Sequence, residues 1–296
     1  MKRILSTALA TMTLMACGNS SGDYDATGTF EATEITVSAE QNGRLVWLDL
    51  EEGDILCEGR QVGLIDTVQL FLRACQAGAT KTAYEAQRPE TEKQIAATRE
   101  QLSKAKTEYD RYSRLVKDGA ANRKQLDDAE SQMRVLERQL EAQLSTLNNS
   151  TNSLNAQMNT ADTERLMVMD MLEKCHLRSP ITGTVLEKYA EPGEYATVGR
   201  PVFKVADMRN MYLRAYITTA QLKDVKIGQT ATVYADYGDG KRIQYDGKVT
   251  WISSKSEFTP KTILTDDERA DLVYAVKIAV ENDGGIKIGM YGEVKF

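Results

Sequence analysis

The stretch Asn42–Asp66 reads NGRLVWLDLEEGDILCEGRQVGLID, and 140 residues later the chain reads TGTVLEKYAEPGEYATVGRPVFKVA. At this one offset Gly43 falls on Gly183, Glu51 on Glu191, Gly53 on Gly193, Gly59 on Gly199, Arg60 on Arg200 and Val62 on Val202, with no gap. Leu45 falls on Val185, Asp54 on Glu194 and Ile65 on Val205. Each copy reads as a strand, a tight glycine-centred turn, a second turn and another strand. Gly43, Gly53, Gly59, Gly183, Gly193 and Gly199 are taken as structural turn residues, because such turns demand positive φ. Two copies are too few for a solenoid.

The chain between the copies is of another kind. From Thr67 to Lys174 it has one proline, Pro89, and two glycines, Gly78 and Gly119, and it is rich in Glu, Lys, Arg, Gln and Ala. That is the composition of long helix. Every seventh residue from Leu126 is apolar: Leu126, Met133, Leu140, Leu147, Leu154, Ala161, Val168, Cys175. The companion series is weaker, with Ala129 and Leu136 followed by Gln143, Ser150 and Gln157. Upstream, Ile95, Leu102, Tyr109 and Val116 run beside Thr98, Ala105 and Tyr112. Heptads sustained this long predict a coiled-coil seam between two helices. Gly119 suits the left-handed end of the first. Asn122 and Gln125 suit a capping box opening the second. So short a connection forces the helices antiparallel. Pro89 predicts a kink or joint in the first helix. A hairpin returns the chain to its point of departure, so the two copies meet as halves of one β-sandwich.

Composition narrows the function. The chain has 296 residues, a formal charge of −6 and a pI near 5.2, which argues against nucleic acid as the main partner. One histidine, His176, and four cysteines are poor material for a histidine-based hydrolase or a zinc site. The start, MKRILSTALATMTLMAC, has two cations and then an apolar run too short to span a bilayer. Leu14-Met15-Ala16-Cys17 resembles the bacterial lipoprotein cleavage box, which makes Cys17 the lipidated residue. The alternative is an ordinary signal peptide with Cys17 incidental. GNSSGDYDATG then reads as a tether. After Asp207 the stretches MYLRAYIT, TATVYAD, RIQYDGKVTWIS, LVYAVKIAV and GEVKF read as strands.

A two-half β-sandwich with glycine-centred turns resembles the biotinyl/lipoyl domain. Split by a coiled-coil hairpin behind a lipoprotein signal, it resembles the HlyD-like periplasmic adaptors, or membrane fusion proteins, of bacterial tripartite exporters. EFTPKTILTDDERADLVYAVKI resembles the subgroup serving ABC-type exporters. The resemblance implies an α+β multidomain chain. Its parts are a signal peptide (1–16), a tether and leading strand (17–34), a first lipoyl-like half (35–66) and a hairpin (67–176, tip near 117–122). A second half (177–207) and a small β-barrel (208–296) follow. It also implies a ring of six copies, an inner-membrane exporter at the base and an outer-membrane channel at the tip. The periplasm is the implied compartment, with the lipid in the inner membrane; Gly18 lacks the aspartate that signals retention there in some bacteria. The chain stops at Phe296, so the further membrane-proximal domain of many adaptors is expected to be absent or minimal.

In the family the hairpin tip carries Arg, then Leu four residues on, then Ser seven further. Here the spacing gives Arg111, Leu115 and Asn122, with Asn in place of Ser. Without the resemblance, Arg111 reads as a solvated helix charge and Leu115 as seam packing. No cofactor is expected. A lipoate or biotin carrier needs a lysine in the turn joining the halves, and LIDTVQLFLRACQ, leading into the hairpin that replaces that turn, has none. A hydrolase lacks a Gly-x-Ser-x-Gly elbow, and Glu51-Glu52 and Asp266-Asp267 read as surface turns. A structural envelope coiled coil would not need the split domain. Cys75 and Cys175 lie near the base of the helices, where a disulfide stays open as a possibility. Cys57 reads as a small apolar residue.

Overall fold

The computed structural model describes residues 24–238, 241–257 and 272–296. Cys17, the residue expected to carry lipid, lies outside the described residues, as does most of the stretch that suggested the ABC subgroup.

The two copies of the repeat build each other. The first gives β2 (Gly43–Leu48), β3 (Ile55–Leu56) and β4 (Gln61–Ile65). The second gives β6 (Gly183–Lys188), β7 (Tyr195–Ala196) and the start of β8 (Pro201–Thr218). The short strands cross over: β3 pairs with β6 through Leu56 and Gly183, and β7 pairs with β2 through Ala196 and Gly43. The turns cross over too. Gly53 N–H donates to Val185 O at 2.9 Å, and its counterpart Gly193 N–H donates to Leu45 O at 2.8 Å. Gly59 N–H donates to Ser179 O and Gly199 N–H to Ala39 O, both at 2.8 Å. Each half therefore satisfies backbone groups that the other half would leave orphaned. Two four-stranded layers result. One is β5 (His176–Arg178), β4, β2 and β7; the other joins β3, β6, the first part of β8 and the second part of β1 (Ala26–Ser38). Between them lies one core in which Leu45, Leu56, Val62 and Ile65 meet Val185 and Phe203.

Four of the six glycines hold positive φ, +94° at both Gly53 and Gly193, +78° at Gly59 and +85° at Gly199. Gly43 and Gly183 do not, which corrects their reading as turn residues. They open β2 and β6, and what excludes a side chain there is contact. A Cβ on Gly183 would lie 2.3 Å from Ala206 O, and one on Gly43 would lie 2.7 Å from Ile65 Cγ2. The repeat is also broken at one position. Leu48 is buried, while its counterpart Lys188 has a side chain only 10% exposed that reaches Glu51 at 3.2 Å and Glu191 at 2.9 Å. Those two glutamates are equivalent residues of the two copies, so Lys188 ties the halves together.

Beyond this unit β1 and β8 continue as a pair into a barrel with β12 (Tyr291–Lys295), β9 (Thr230–Asp236), β10 (Arg242–Ile252) and β11 (Val273–Glu281), in the order β1-β12-β9-β10-β11-β8 and closed by β1 on β8. Phe30, Met211, Leu213, Ile217, Ile278 and Ile286 fill it. A barrel drawn from 208–296 alone omits its closing strand, Ala26–Ala32, which comes from the stretch read as tether and leading strand.

The hairpin has three helices: α1 (Val68–Ala86), α2 (Thr91–Lys117) and α3 (Arg123–Glu173), the last unbroken over 51 residues. The joint expected at Pro89 is a full interruption. Proline has no N–H to donate and disfavours helical φ/ψ in the residue before it. The seam follows the sevenfold series. Leu154, Ala161, Val168 and Cys175 are buried and Leu126, Met133, Leu140 and Leu147 half-buried, whereas the companion series loses the seam at Ser150 and Gln157, both exposed. Among the described residues no helix is long and apolar enough to cross a membrane.

Candidate functional site

The turn between α2 and α3 is built by local rules. Gly119, at φ +73°, donates its N–H to Val116 O, and Ala120 N–H donates to Leu115 O at 2.8 Å. Asn122 then caps α3. Its Oδ1 accepts from Lys124 N–H at 3.1 Å, while Gln125 Oε1 accepts from Asn122 N–H at 3.2 Å. The capping box answers the orphaned amides of the first turn without help from any other part of the chain.

Arg111 lies one helical turn before Leu115, on the same face of α2. Its guanidinium is about half exposed, pairs with Glu108 at 2.6 Å and lies 5.2 Å over the ring of Tyr112. Leu115 is half-buried beside the seam residues Tyr112 and Val116. Asn122 is exposed, but its Oδ1 is committed to the cap, so the amide NH2 is what it can offer a partner. The face thus presents a cation already balanced by a carboxylate, an aliphatic edge and an amide donor. That suits contact with another protein; it holds no nucleophile paired with a base. Glu108 belongs to this face and was not singled out from sequence, and Tyr112 was read there only as a seam residue. The Glu108–Arg111 spacing of one turn, with an aromatic beside it, was the available signal.

The other sequence candidates fall elsewhere. Cys75 and Cys175 are both free: Cys175 is buried under the split unit and Cys75 is exposed on α1. Burial, with a smaller contribution from Asp66, pushes the Cys175 thiol up, which keeps it protonated and inert. Cys57 is exposed rather than packed as a small apolar residue, since its turn lies at the rim of the split unit. His176 opens β5 with its Nδ1 buried and unpartnered, in a shallow groove among Glu40, Asp170 and Glu173.

No protein-family model matches the chain. It is 28% identical over 285 residues to a UPF0194 membrane protein of Citrobacter koseri, covering 89% of this chain and 85% of that one. It is 28% identical over 298 residues to the UPF0194 membrane protein YbhG of Salmonella gallinarum, covering 91% and 87%. The fold is shared with the crystal structure of MacA from Actinobacillus actinomycetemcomitans, at a TM-score of 0.52 and 23% identity, over 91% of this chain and 76% of that one. It is likewise shared with a MacA–MexA chimera carrying the Pseudomonas aeruginosa MexA α-hairpin, at a TM-score of 0.55 and 22% identity, over 91% and 79%.

Proposed function

We propose that this chain is the periplasmic adaptor of an efflux or secretion system, a non-enzymatic link between an inner-membrane exporter of ABC type and an outer-membrane channel. The observation that carries the reading is a split unit locked by its own halves, from which an unbroken helix of 51 residues projects. At 1.5 Å per residue that arm reaches about 75 Å and ends in a self-capped, exposed turn. In this reading the split unit is a lipoyl-like β-sandwich, Cys17 carries the lipid that fixes the base, and Arg111, Leu115 and Asn122 dock on the channel. An exposed ion pair is worth at most about 1 kcal/mol, so Arg111 can exchange Glu108 for a carboxylate of the channel at little cost. Six copies in a ring repeat the contact, and avidity outweighs any single one.

Purification of the full chain from membranes, with its partners identified by mass spectrometry, tests this. The wild type is expected to bring down both an ABC exporter and a channel. Arg111→Glu combined with Asn122→Ala is expected to keep the exporter and lose the channel, at unchanged adaptor level and helicity. Retention of the channel by that variant rules the tip out as the docking site. Absence of any exporter from the wild-type preparation removes the adaptor reading itself.

A further inference from the structure

One arm of the hairpin is broken and the other is not, yet the break has a counterpart. Residues 87–90 separate α1 from α2. Arg88 N–H donates to Glu85 O at 3.2 Å and Thr91 N–H to Pro89 O at 3.0 Å. Among the described residues no backbone hydrogen bond runs from α2 back to α1. The seam keeps its phase through the gap, since Ala74, Lys81, Arg88 and Ile95 step by seven. Both helices therefore turn the same face to α3, and Pro89 is what keeps them from being one helix. The packing does change. Ala74, Ala77, Ile95 and Thr98 are buried, but no residue of this arm is buried from 78 to 94.

Two marks give the level of the gap on α3. On the base side Lys81 pairs with Asp162 at 3.1 Å, and on the tip side Leu102 lines one groove with Leu140 and Leu144. Equal rise along antiparallel arms then sets residues 87–90 beside roughly residues 150–155. That is the weakest helix former in α3. Residues 148–155 read NNSTNSLN, so seven of the eight are Asn, Ser or Thr, whose side chains compete for backbone hydrogen bonds. Leu154 alone of the eight is buried. The ties across the hairpin also stop here. Arg73–Glu164 and Lys81–Asp162 join α1 to α3, whereas among the described residues no ion pair joins α2 to α3.

We propose that this level is a hinge, about which the outer part of the hairpin bends as one body while the base part stays seated on the split unit. Bending opens the gap at Pro89 without breaking a hydrogen bond, because none spans it. On α3 the exposed Asn and Ser side chains, or water, take the carbonyls that a bend releases. Leu154 holds the arms together as the pivot. The outer part is about 45 Å long at 1.5 Å per residue, so a bend of about 10° carries the tip about 8 Å sideways. The inference goes beyond the adaptor reading and stands on the two arms alone.

Hydrogen exchange of the purified full-length protein tests it first. Amides of residues 148–155 are expected to exchange at least tenfold faster than those of residues 131–138 in the same unbroken helix. Equal protection of the two stretches overturns the hinge. Distances between paired spin labels, with labelled protein diluted in unlabelled, test the bending itself. In a Cys17→Ser, Cys57→Ser background, native Cys75 and Ala97→Cys lie about 33 Å apart across the gap, on the side of the arm away from α3. A bend of about 10° about α3 changes that separation by about 3 Å. Ser131→Cys with Ser145→Cys, and Cys75→Ser, gives a reference pair within one rod. The distribution across the gap is expected to be at least 1.5 times as wide as the reference. Pro89→Ala combined with Asn148→Ala, Asn149→Ala, Ser150→Ala, Asn152→Ala and Ser153→Ala should narrow it to the reference width, with helicity equal or higher by circular dichroism. A wild-type distribution as narrow as the reference overturns the proposal by showing a straight rod. A stiffened variant as broad as the wild type overturns it too, by placing the motion elsewhere.

Discussion

The split β unit and the hairpin come from one chain, yet their geometry is fixed in different ways. In the split unit every turn hydrogen-bonds the opposite half, each close approach has a named neighbour, and the register is set at once by Gly53, Gly59, Gly193 and Gly199. Shifting one strand by a residue would break reciprocal bonds in both halves. In the hairpin the register rests on a periodic series with one strong and one weak stripe, and its long polar face carries solvent-exposed ion pairs that mostly join residues of one helix and so do little to set the register. The comparison teaches where substitution is costly. The β unit should respond sharply and locally. The hairpin should tolerate change in stability and register it in what it binds.

The largest expected effect concerns how far the two regions are independent. Ile65 and Cys175 are already joined by a backbone hydrogen bond at 2.9 Å, so α1, α2 and α3 can be replaced by a short glycine linker from Asp66 to Lys174. The shortened protein is expected to keep a cooperative unfolding transition. Moving the junction to Ser179 also removes β5, whose Leu177 is buried and pairs with Gly63, and should abolish that transition for the split unit. Differential scanning calorimetry of the two deletions decides it. Equal behaviour of both would show that the layer with β5 is not needed to close the core.

Next come the paired glycines, which ask whether equivalent positions are equivalent in energy. Gly183→Ala drives a Cβ against the backbone oxygen of Ala206, whereas Gly43→Ala meets the Cγ2 of Ile65, a buried side chain stiff at χ1 that has to shift by a fraction of an ångström. The first should cost about 3 kcal/mol or more and the second about 2 kcal/mol. Gly53→Ala and Gly193→Ala share one φ and open space around the new methyl, so each should cost about 1 kcal/mol. Urea unfolding midpoints compare all four. A Gly183→Ala protein as stable as Gly43→Ala would break the argument from close approach.

Much of this division was legible in the sequence. The single offset of 140 residues placed both halves of the split unit, and the Gly119, Asn122 and Gln125 signals placed the hairpin turn. These are local rules: positive φ, a cap, a sevenfold period. What escaped was non-local or two-sided. The closing strand of the barrel, Ala26–Ala32, lies far along the chain from the strands it joins, and only pairing reveals it. Gly43 and Gly183 look like turn glycines until the opposing strand is present. At the tip the Asn122–Gln125 capping box was legible, but the Glu108 partner of Arg111 was missed, since a charged residue one turn away is unremarkable in any helix.

The smallest expected effect lies where the split unit passes into the barrel. Between Ala32 and Thr33 of β1 the pairing on β8 jumps from Met211 to Asp207, so Met208, Arg209 and Asn210 bulge out of the ladder. The Asp207 carboxylate holds that bulge, accepting from Arg209 N–H at 3.0 Å, Asn210 N–H at 3.1 Å and Asn210 Nδ2 at 2.8 Å. Partial burial pushes this carboxyl up, but the hydrogen bonds from Asn210 and Arg209, aided by the Arg209 charge, outweigh burial and hold it below the ordinary aspartate range. A carboxyl depressed in the folded state stabilises at pH values above its unfolded pKa, and that contribution is lost as pH falls through the folded one. Asp207→Asn should therefore destabilise by about 1 kcal/mol near neutral pH, the worth of hydrogen bonds to a charged acceptor in partial contact with water. The difference from wild type should shrink toward zero as the pH is lowered through and below the ordinary aspartate range. Unfolding midpoints of the two proteins, measured from neutral to acid pH, follow this directly. A gap that stays constant with pH would mean that the side chain holds the bulge by shape, and that the joint between the two units owes nothing to its charge.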